Sequence, residues 1–466
     1  ADAKAPSDAY ERLGDAEAAQ PLNPEKSKAV NHEGSSGVHD YEQKGGKEDK
    51  IPSFYPAYHL GCVFFLVFAA LMPTQNLLTS LNGTLGYYSI AVLYFCMSLS
   101  GPAAPFLVRY FGGAKPALVF GALSYLVFQV ANVLIGIPSI PNSVGYAVLL
   151  PPSAFLGIGA CVLWTAEGIY ASRVSQAVDE YNKRGFVGVD GANTLGYVNG
   201  IVLVFQQTAN LIMNLATSFI LTSGASAVTL FTVLAVASAG GFAAMILLPR
   251  TPKSARNLSS DSQQMTLLSS FKVVSSLHCE RKIVLLLPLF IACGCNQGFL
   301  YSSFTGDIIT PALGKNWIGY VMATSAAVDA AGSYVFGNLS DKIGRNPVLF
   351  IGVVTNLTAC ILIDFFGVKD NAYGLIFTWG ILLGIADAVW MTVGSAMLAE
   401  GYPGAKMTGS FACFTLWRSL CTALVSLLGP FVSLRIRTSI VAGAVVLAAV
   451  VQASFARTPS VRVENV

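Results

Sequence analysis

Charged residues are scarce in this chain. Asp, Glu, Lys and Arg make up only 11% of its 466 residues, whereas soluble domains carry about 25%. Hydrophobic residues make up 54%, and the mean hydropathy is +0.59. This composition excludes an ordinary soluble domain, and it predicts an integral multi-pass protein that resides in the lipid bilayer. We expect no nucleic-acid partner.

Patterns typical of metal sites, disulfide frameworks and secretory leaders are also lacking. The nine cysteines show no zinc-type spacing, and most lie within apolar runs, which predicts small buried side chains. Residues 1–50 contain no short apolar core followed by small residues, so we expect the first span to serve as its own insertion signal. We expect a protein that is not an enzyme, with no catalytic residues, no metal and no cofactor.

Long apolar segments dominate the rest of the chain, and about 20 apolar residues are needed to cross a bilayer. Twelve segments qualify: 57–80, 86–108, 115–136, 145–170, 197–221, 226–248, 283–306, 316–338, 346–367, 372–398, 408–432 and 436–456. A polar, serine-rich and basic linker separates the first six from the last six.

We therefore predict five parts in the chain. Residues 1–50 are poor in aromatic residues and cannot bury enough apolar surface to offset the entropy that is lost when a chain becomes ordered. The parts are a disordered cytosolic tail (1–50), an N-terminal six-span half (51–249), a cytosolic linker (250–282), a C-terminal six-span half (283–457) and a cytosolic C-terminal tail (458–466).

Basic residues between the spans predict the orientation. They concentrate in the even-numbered turns, as at Arg109, Arg173, Lys342 and Lys406, and cytosolic loops collect Lys and Arg. Both termini are therefore predicted to be cytosolic. The protein itself is expected in the plasma membrane or an endomembrane. Asn82 begins the sequon that falls in an outer loop, which makes it the candidate for N-glycosylation.

The two sets of spans resemble each other. Gly113 and Trp164 of the first set occupy the same places in their spans and turns as Gly344 and Trp390 of the second. Two parallel halves related by a pseudo-twofold axis along the membrane normal are typical of transporters.

One charged turn, from Gly337 to Arg345, matches the signature of the major facilitator superfamily, Gly-x-Leu-x-Asp-x-x-Gly-Arg. Asp341 can accept hydrogen bonds at a helix N-terminus, and Arg345 can pair with a carboxylate. We expect Gly337, Asp341, Gly344 and Arg345 to form a latch that holds the two halves together on the cytosolic side. The matching positions of the first half have lost their charges and are Phe106, Tyr110 and Ala114. The expected fold is an all-α, twelve-span major facilitator bundle of two pseudo-symmetric six-helix halves.

Further motifs resemble the Unc-ninety-three family of ion-channel regulatory proteins, a branch of this superfamily. They are Thr74–Leu77, Leu163–Tyr170, Gly319–Met322 with Asp329, Gly384–Trp390 and Leu416–Arg418. The resemblance implies a transporter-shaped protein that acts as a regulator or trafficking partner of another membrane protein, such as a potassium channel or receptor. A secondary active transporter of a small solute, with or without proton coupling, is the alternative.

Ionisable residues inside spans are informative because each costs about 2.5–3.5 kcal/mol at the bilayer centre. Asp329, Asp387 and Arg418 lie about 18–20 Å from the cytosolic helix ends, judged from a rise of about 1.5 Å per residue. We predict a pair between Arg418 and Asp387 or Asp329. Such a group either leaves one carboxylate to titrate or neutralises itself and fixes packing. Glu167 is a fourth buried charge, at shallower depth.

Polar side chains in three spans predict the lining of a cavity or a helix interface. In the fifth span they recur every four residues, which places them on one face. The candidates are Gln75 and Asn76, then Gln206, Asn210 and Asn214, and then Asn296 and Gln297.

Overall fold

The structure, a computed structural model, describes residues 54–138, 140–181, 194–250, 266–402 and 406–456. The predicted tails 1–50 and 458–466 lie outside these ranges, as does the first part of the predicted linker, up to residue 265. Within the described ranges every regular element is a helix. Helices satisfy their own backbone hydrogen bonds, which the interior of a bilayer requires.

Seven helices form the first part of the bundle. They are α1 (Tyr55–Asn82), α2 (Thr84–Ser100), α3 (Ala104–Tyr110), α4 (Ala114–Ile135), α5 (Asn142–Tyr181), α6 (Thr194–Thr222) and α7 (Ala227–Ile246). A single 3₁₀ turn, Gly101–Ala103, joins α2 to α3, so the two cross together. The predicted fourth span is much shorter than α5, because its helix continues through the polar residues after 170.

Eight helices follow. They are α8 (Leu267–Leu277), α9 (Arg281–Gly298), α10 (Thr310–Leu313), α11 (Ile318–Ile343), α12 (Arg345–Phe366), α13 (Tyr373–Gly401), α14 (Lys406–Leu428) and α15 (Leu434–Ala456). A π-helical segment, Phe299–Ile309, connects α9 to α10.

Ten helical stretches in the described residues are long and apolar enough to cross a membrane. The helices α6 and α11 have spanning length, at 29 and 26 residues, but they carry more polar residues. They hold the predicted amides of the fifth span and Asp329 of the eighth. The protein is an all-helical membrane bundle, and the count of twelve spans stays a prediction.

The buried apolar side chains form two clusters. One contains residues between Ala57 and Leu248, and the other is built mainly from residues between Val274 and Ala448. Only a few residues cross over, among them Ala423 and Leu77. The two clusters give each half of the chain its own apolar core, and the six-plus-six arrangement with its boundaries stays a prediction.

Glycines bring helices of the second half close enough to align its polar side chains. A Cβ atom on Gly294 would lie 2.2 Å from the carbonyl oxygen of Arg418, and one on Gly298 would lie 2.9 Å from that of Thr422. Only glycine permits α9 and α14 to approach so closely. Arg418 is thereby held against the face of α9 that carries Gln297.

Polar contacts join the two halves at the end of the bundle where α1 turns into α2, which we call the outer end. Arg437 Nη1 lies 2.5 Å from Asp307 Oδ2, and the Tyr87 hydroxyl donates to the same oxygen at 2.5 Å. Thr79 donates to the carbonyl oxygen of Ser302 at 3.1 Å. Arg437 is 4% exposed, so this ion pair is shielded from solvent on the arginine side.

The signature turn lies at the opposite end, which we call the inner end. Arg345 pairs with Asp341 at 2.8 Å (Nη1 to Oδ1) and with Glu400 of α13. Gly344 adopts a φ of 92°, which is strained for other residues. The structure contradicts the predicted latch in one respect: every partner that it gives Arg345 belongs to the second half, because the Arg345 side chain is taken up by α11 and α13.

Candidate functional site

A polar cavity lies between helices of the two halves, near their middle. Its volume is about 30 Å³, which is room for a water-sized group. From the first half it is lined by Met72, Asn76 and Asn210, and from the second by residues that include Tyr301, Ser325, Asp329 and Asp387. The cavity is the place where residues of both halves meet two carboxylates.

Asp329 faces this cavity from α11. Gln207 of α6 donates to its Oδ2 atom at 3.2 Å, which is a hydrogen bond between the halves. Its Oδ1 atom is buried and has no hydrogen-bond partner among the described residues. A buried carboxylate oxygen without a donor is costly, so Asp329 is poised to take a proton or a donor from a ligand.

Asp387 is held by amides rather than by a cation. Asn296 and Gln297 of α9 each donate to it at 3.4 Å. Arg418 donates from Nη1 to Gln297 Oε1 at 2.6 Å, and no carboxylate lies within 4 Å of it in the described part of the chain. The predicted ion pair is therefore wrong, because Gln297 stands between its two members.

The series of hydrogen bonds from Arg418 through Gln297 to Asp387, which we call the amide relay, continues beyond Asp387. Asn356 of α12 donates to Asn296 Oδ1 at 3.0 Å, so hydrogen bonds connect α14, α9, α13 and α12. The Nε atom of Arg418 is buried and has no acceptor in the described ranges, and its guanidinium lies 5.6 Å from the ring of Phe414. The charges of the second half are thus connected through neutral amides.

The predicted amides divide between the cavity and the helix interfaces. Asn76 and Asn210 line the cavity, and Asn214 bonds to both, at 2.9 and 2.7 Å. Gln75 donates to Tyr94 at 3.0 Å within the first half, and Gln206 is half-buried outside the cavity lining. Both interpretations of this polar set were therefore partly right.

Two other predicted residues lie away from the cavity. Glu167 of α5 is 8% exposed and has no ion-pair partner among the described residues. Asn82 ends α1, and its Nδ2 atom is buried without a partner in the described ranges. A glycan attaches at that nitrogen, so glycosylation of Asn82 would require the helix end to move and remains a prediction.

The sequence analysis missed Gln207 and Tyr301, which contact or line the site. Gln207, Asn210 and Asn214 share a helix face at spacings of three and four, so a mixed spacing would have found Gln207 where a strict spacing of four selected Gln206. Tyr301 belongs to the π-helical segment. The directions of the side chains in such a segment cannot be derived from a period of 3.6 residues.

The groups that line this cavity can donate and accept hydrogen bonds. Two carboxylates, two asparagines, a serine and a tyrosine line the cavity, and such groups can hold a cationic or hydrogen-bonding group. In the described residues no cluster of His, Cys, Asp and Glu is arranged to hold a metal ion. The chain is thus an all-helical membrane protein whose fold, with a polar cavity between two sets of helices, is that of the major facilitator class.

Solved structures of transporters share this fold. The chain is similar to a POT family transporter in complex with 5-aminolevulinic acid, with a TM-score of 0.64, 10% identity and coverage of 87% of this chain and 97% of the other. It is also similar to a D-xylose-proton symporter, with a TM-score of 0.60, 16% identity and coverage of 85% and 95%. At these identities the likeness shows the fold alone.

The particular family follows from the sequence. The profile described as "Ion channel regulatory protein UNC-93" matches residues 79–453, and the chain belongs to this family. Human "Protein unc-93 homolog A" is 28% identical over 77% of this chain and 83% of its own length, and "UNC93-like protein 3" of Arabidopsis thaliana is 28% identical over 81% and 80%. The "Putative potassium channel regulatory protein unc-93" of Caenorhabditis elegans is 24% identical over 78% of this chain and 55% of its own length.

Proposed function

We propose that this protein regulates or escorts another membrane protein, such as a potassium channel or a receptor. The observation that carries the proposal is the family match, which spans residues 79–453 and so covers nearly the whole helical bundle. One relative over this range bears the name of a potassium channel regulatory protein. A partner that is itself a membrane protein would meet this chain within the bilayer.

The geometry is consistent with a protein that works as a scaffold. The amide relay joins four helices of the second half, and at the outer end Tyr87 of the first half bonds to Asp307 and Arg437 of the second. Neither arrangement needs a solute. The first half has lost the charges of its signature turn, which suits a protein that has stopped cycling.

The test measures a partner rather than transport. Cells depleted of this protein are complemented with the wild-type chain or with Asp387→Asn, and stoichiometric partners are recovered by affinity capture. We expect a captured channel or receptor whose surface level falls on depletion and recovers with both forms. Recovery of the surface level by neither form would contradict the proposal.

A second function, secondary active transport, is favoured by one specific observation. Asp329 and Asp387 line the same cavity between the halves, and one oxygen of Asp329 has no donor among the described residues. A carboxylate in that setting suits proton-coupled binding of a small solute.

Proteoliposomes that enclose a pH-sensitive dye test this alternative. The solutes offered are a dipeptide, a nucleoside and D-xylose, which the structurally similar transporters suggest as first probes. Solute-dependent proton entry that disappears in Asp387→Asn but persists in Gln206→Leu would make transport the primary function. Equal signals from empty liposomes and protein-containing liposomes would remove this support.

A further inference from the structure

The short linker helix α8 (Leu267–Leu277) has a wide apolar face, and only part of that face is covered by the protein. Val274 and Leu277 are buried, as is Ser270. Helix α8 packs with them on α14 and on the 3₁₀ turn Gly101–Ala103, so it touches both halves. A Cβ atom on Gly409 of α14 would lie 2.8 Å from Leu277 Cδ1, which shows how close this packing is.

The rest of the apolar face is exposed. The exposed fractions are 43% for Leu267, 42% for Phe271 and 79% for Leu268. At about 100° per residue these side chains follow one another around α8, starting next to the buried face. Ser275 is the one polar residue that falls within this stripe. Lys272, Ser276 and Ser269 occupy the remaining side, and Val273, 39% exposed, borders the packed face near Gly409. Helix α8 is thus amphipathic, with an uncovered apolar stripe between its packed face and its polar face.

Contacts with α14 place α8 at membrane depth. Cys413 Sγ lies 3.8 Å from the carbonyl oxygen of Val274, and Trp417 donates to His278 Nε2 at 2.8 Å. Trp417 is eleven residues into α14, which corresponds to about 16 Å along that helix. The C-terminal end of α8 therefore lies beside the first three turns of a spanning helix rather than above it.

Charge complementarity identifies the occupant of the stripe. Lys272 is exposed beside Phe271, and Arg281 and Lys282 are exposed at the start of α9. Basic residues next to an inserted apolar stripe are typical of helices that lie in the interface of an anionic bilayer. A long basic side chain can keep its charge among head groups while its stem covers apolar surface.

We propose that α8 is an interfacial helix whose Leu267, Leu268 and Phe271 insert into the leaflet at the inner end, with Lys272 directed to anionic phospholipid head groups. The linker thereby becomes a lipid-contacting element that packs on both halves. It would make the relative placement of the halves sensitive to the charge of that leaflet.

Nitroxide labelling of the full chain tests the insertion. Leu268→Cys and Ser276→Cys are made in a background in which the exposed Cys62 and Cys279 are replaced by Ser, and the labelled proteins are placed in nanodiscs of phosphatidylcholine and phosphatidylserine in equal parts. Both positions are exposed, so folding should be preserved, as gel filtration would show. Accessibility to oxygen and to a water-soluble nickel complex is then measured.

We expect position 268 to be several-fold more accessible to oxygen than to the nickel complex, with the opposite order at position 276. High accessibility to the nickel complex at both positions would mean that the stripe faces water, and it would overturn the proposal. Low accessibility of position 268 to both reagents would mean that protein covers the stripe, and it would overturn it equally.

The electrostatic part has its own control. In nanodiscs of phosphatidylcholine alone, we expect the oxygen preference at position 268 to fall by about half, since each basic residue near an anionic surface contributes measurably to binding. In Lys272→Gln, the oxygen preference at position 268 should be nearly the same in the two lipid compositions. If the oxygen preference still differed between the two lipid compositions as much as in the wild type, the proposed contact of Lys272 with anionic head groups would be overturned.

Discussion

The two ends of the bundle hold their charged residues in opposite ways. At the outer end, Arg437 is 4% exposed and meets partners from both halves, Asp307 of the second and Tyr87 of the first. At the inner end, the Arg345 partners Asp341 and Glu400 are 67% and 60% exposed and belong to the second half alone. The outer end therefore fastens the two halves, whereas the inner end stiffens one of them.

This difference changes the meaning of the signature turn. The ion pairs that the structure gives at the inner end, Arg345 with Asp341 and Glu400 and Lys406 with Glu280, connect residues from 280 onwards. Nearer the middle of the bundle, Ser98 of α2 donates a hydrogen bond of 2.9 Å to the carbonyl oxygen of Leu416 of α14, which joins the two halves.

The largest effect is expected from Arg437→Ala. The change leaves the Asp307 carboxylate without its cation and removes the donor to Ser303 at 2.7 Å. Breaking a buried pair costs about 3–5 kcal/mol, and we expect about 3 kcal/mol of unfolding free energy because Asp307 is 36% exposed. Titration of SDS into detergent micelles that hold the protein unfolds it and measures this loss of unfolding free energy.

Arg435→Ala is the matched control for that change. Arg435 is exposed, two residues earlier on the same helix, and its loss should cost little. If Arg435→Ala destabilised the protein as much as Arg437→Ala, or if Arg345→Ala did so, the contrast between the two ends would be lost.

The second effect in size concerns the middle of the bundle. Gln297→Leu removes the acceptor of Arg418 and one donor to Asp387, which leaves two buried polar groups with fewer partners. We expect a loss of about 2 kcal/mol, since an unsatisfied buried group costs about 1–3 kcal/mol. Gln206→Leu, at a half-buried position outside the cavity lining, should be nearly neutral in the same titration. Equal losses of unfolding free energy in both variants would show that the amide relay contributes no more to stability than the side chain of Gln206.

Much of this arrangement was predictable, and the failures have a physical cause. The fold class followed from the apolar segments and from the turn at Gly344, whose positive φ requires glycine. Asp329 and Asp387 line one cavity, and their similar predicted depth made such a meeting possible, because helical rise converts sequence distance into depth. The pairing of Arg418 was not predictable, because rise gives no rotation about the helix axis.

The outer end was missed altogether. Asp307 and Arg437 sit near the ends of apolar segments, where charged residues are ordinary, so nothing in the pattern marks them as partners. Their meeting depends on the π-helical segment Phe299–Ile309, in which the extra residue per turn changes the facing of Asp307. Local periodicity cannot anticipate that change.

A smaller effect is expected from Arg345→Ala at the inner end. Its partners are largely exposed, and exposed ion pairs contribute about 0–1 kcal/mol. We expect a loss of about 1 kcal/mol, because the Arg345 side chain is 21% exposed and contacts two carboxylates. A double-mutant cycle with Glu400→Gln isolates the pair, and a coupling above about 2 kcal/mol would mean that the inner end is fastened as firmly as the outer end.

The smallest effect is expected from the second inner-end pair, Glu280 and Lys406, whose atoms Oε1 and Nζ lie 2.9 Å apart. The hydrogen bond from Lys406 is the main reason why the pKa of Glu280 lies below its ordinary value. A carboxyl group with a lowered pKa in the folded protein stabilises it above the ordinary glutamate pKa of about 4.3, and this stabilisation is lost as the pH falls through the lowered value. Unfolding titrations of wild type and Lys406→Gln should therefore differ slightly near neutral pH and converge in acid. A difference that persists below the lowered pKa would show that Lys406 stabilises the inner end through packing rather than through its charge.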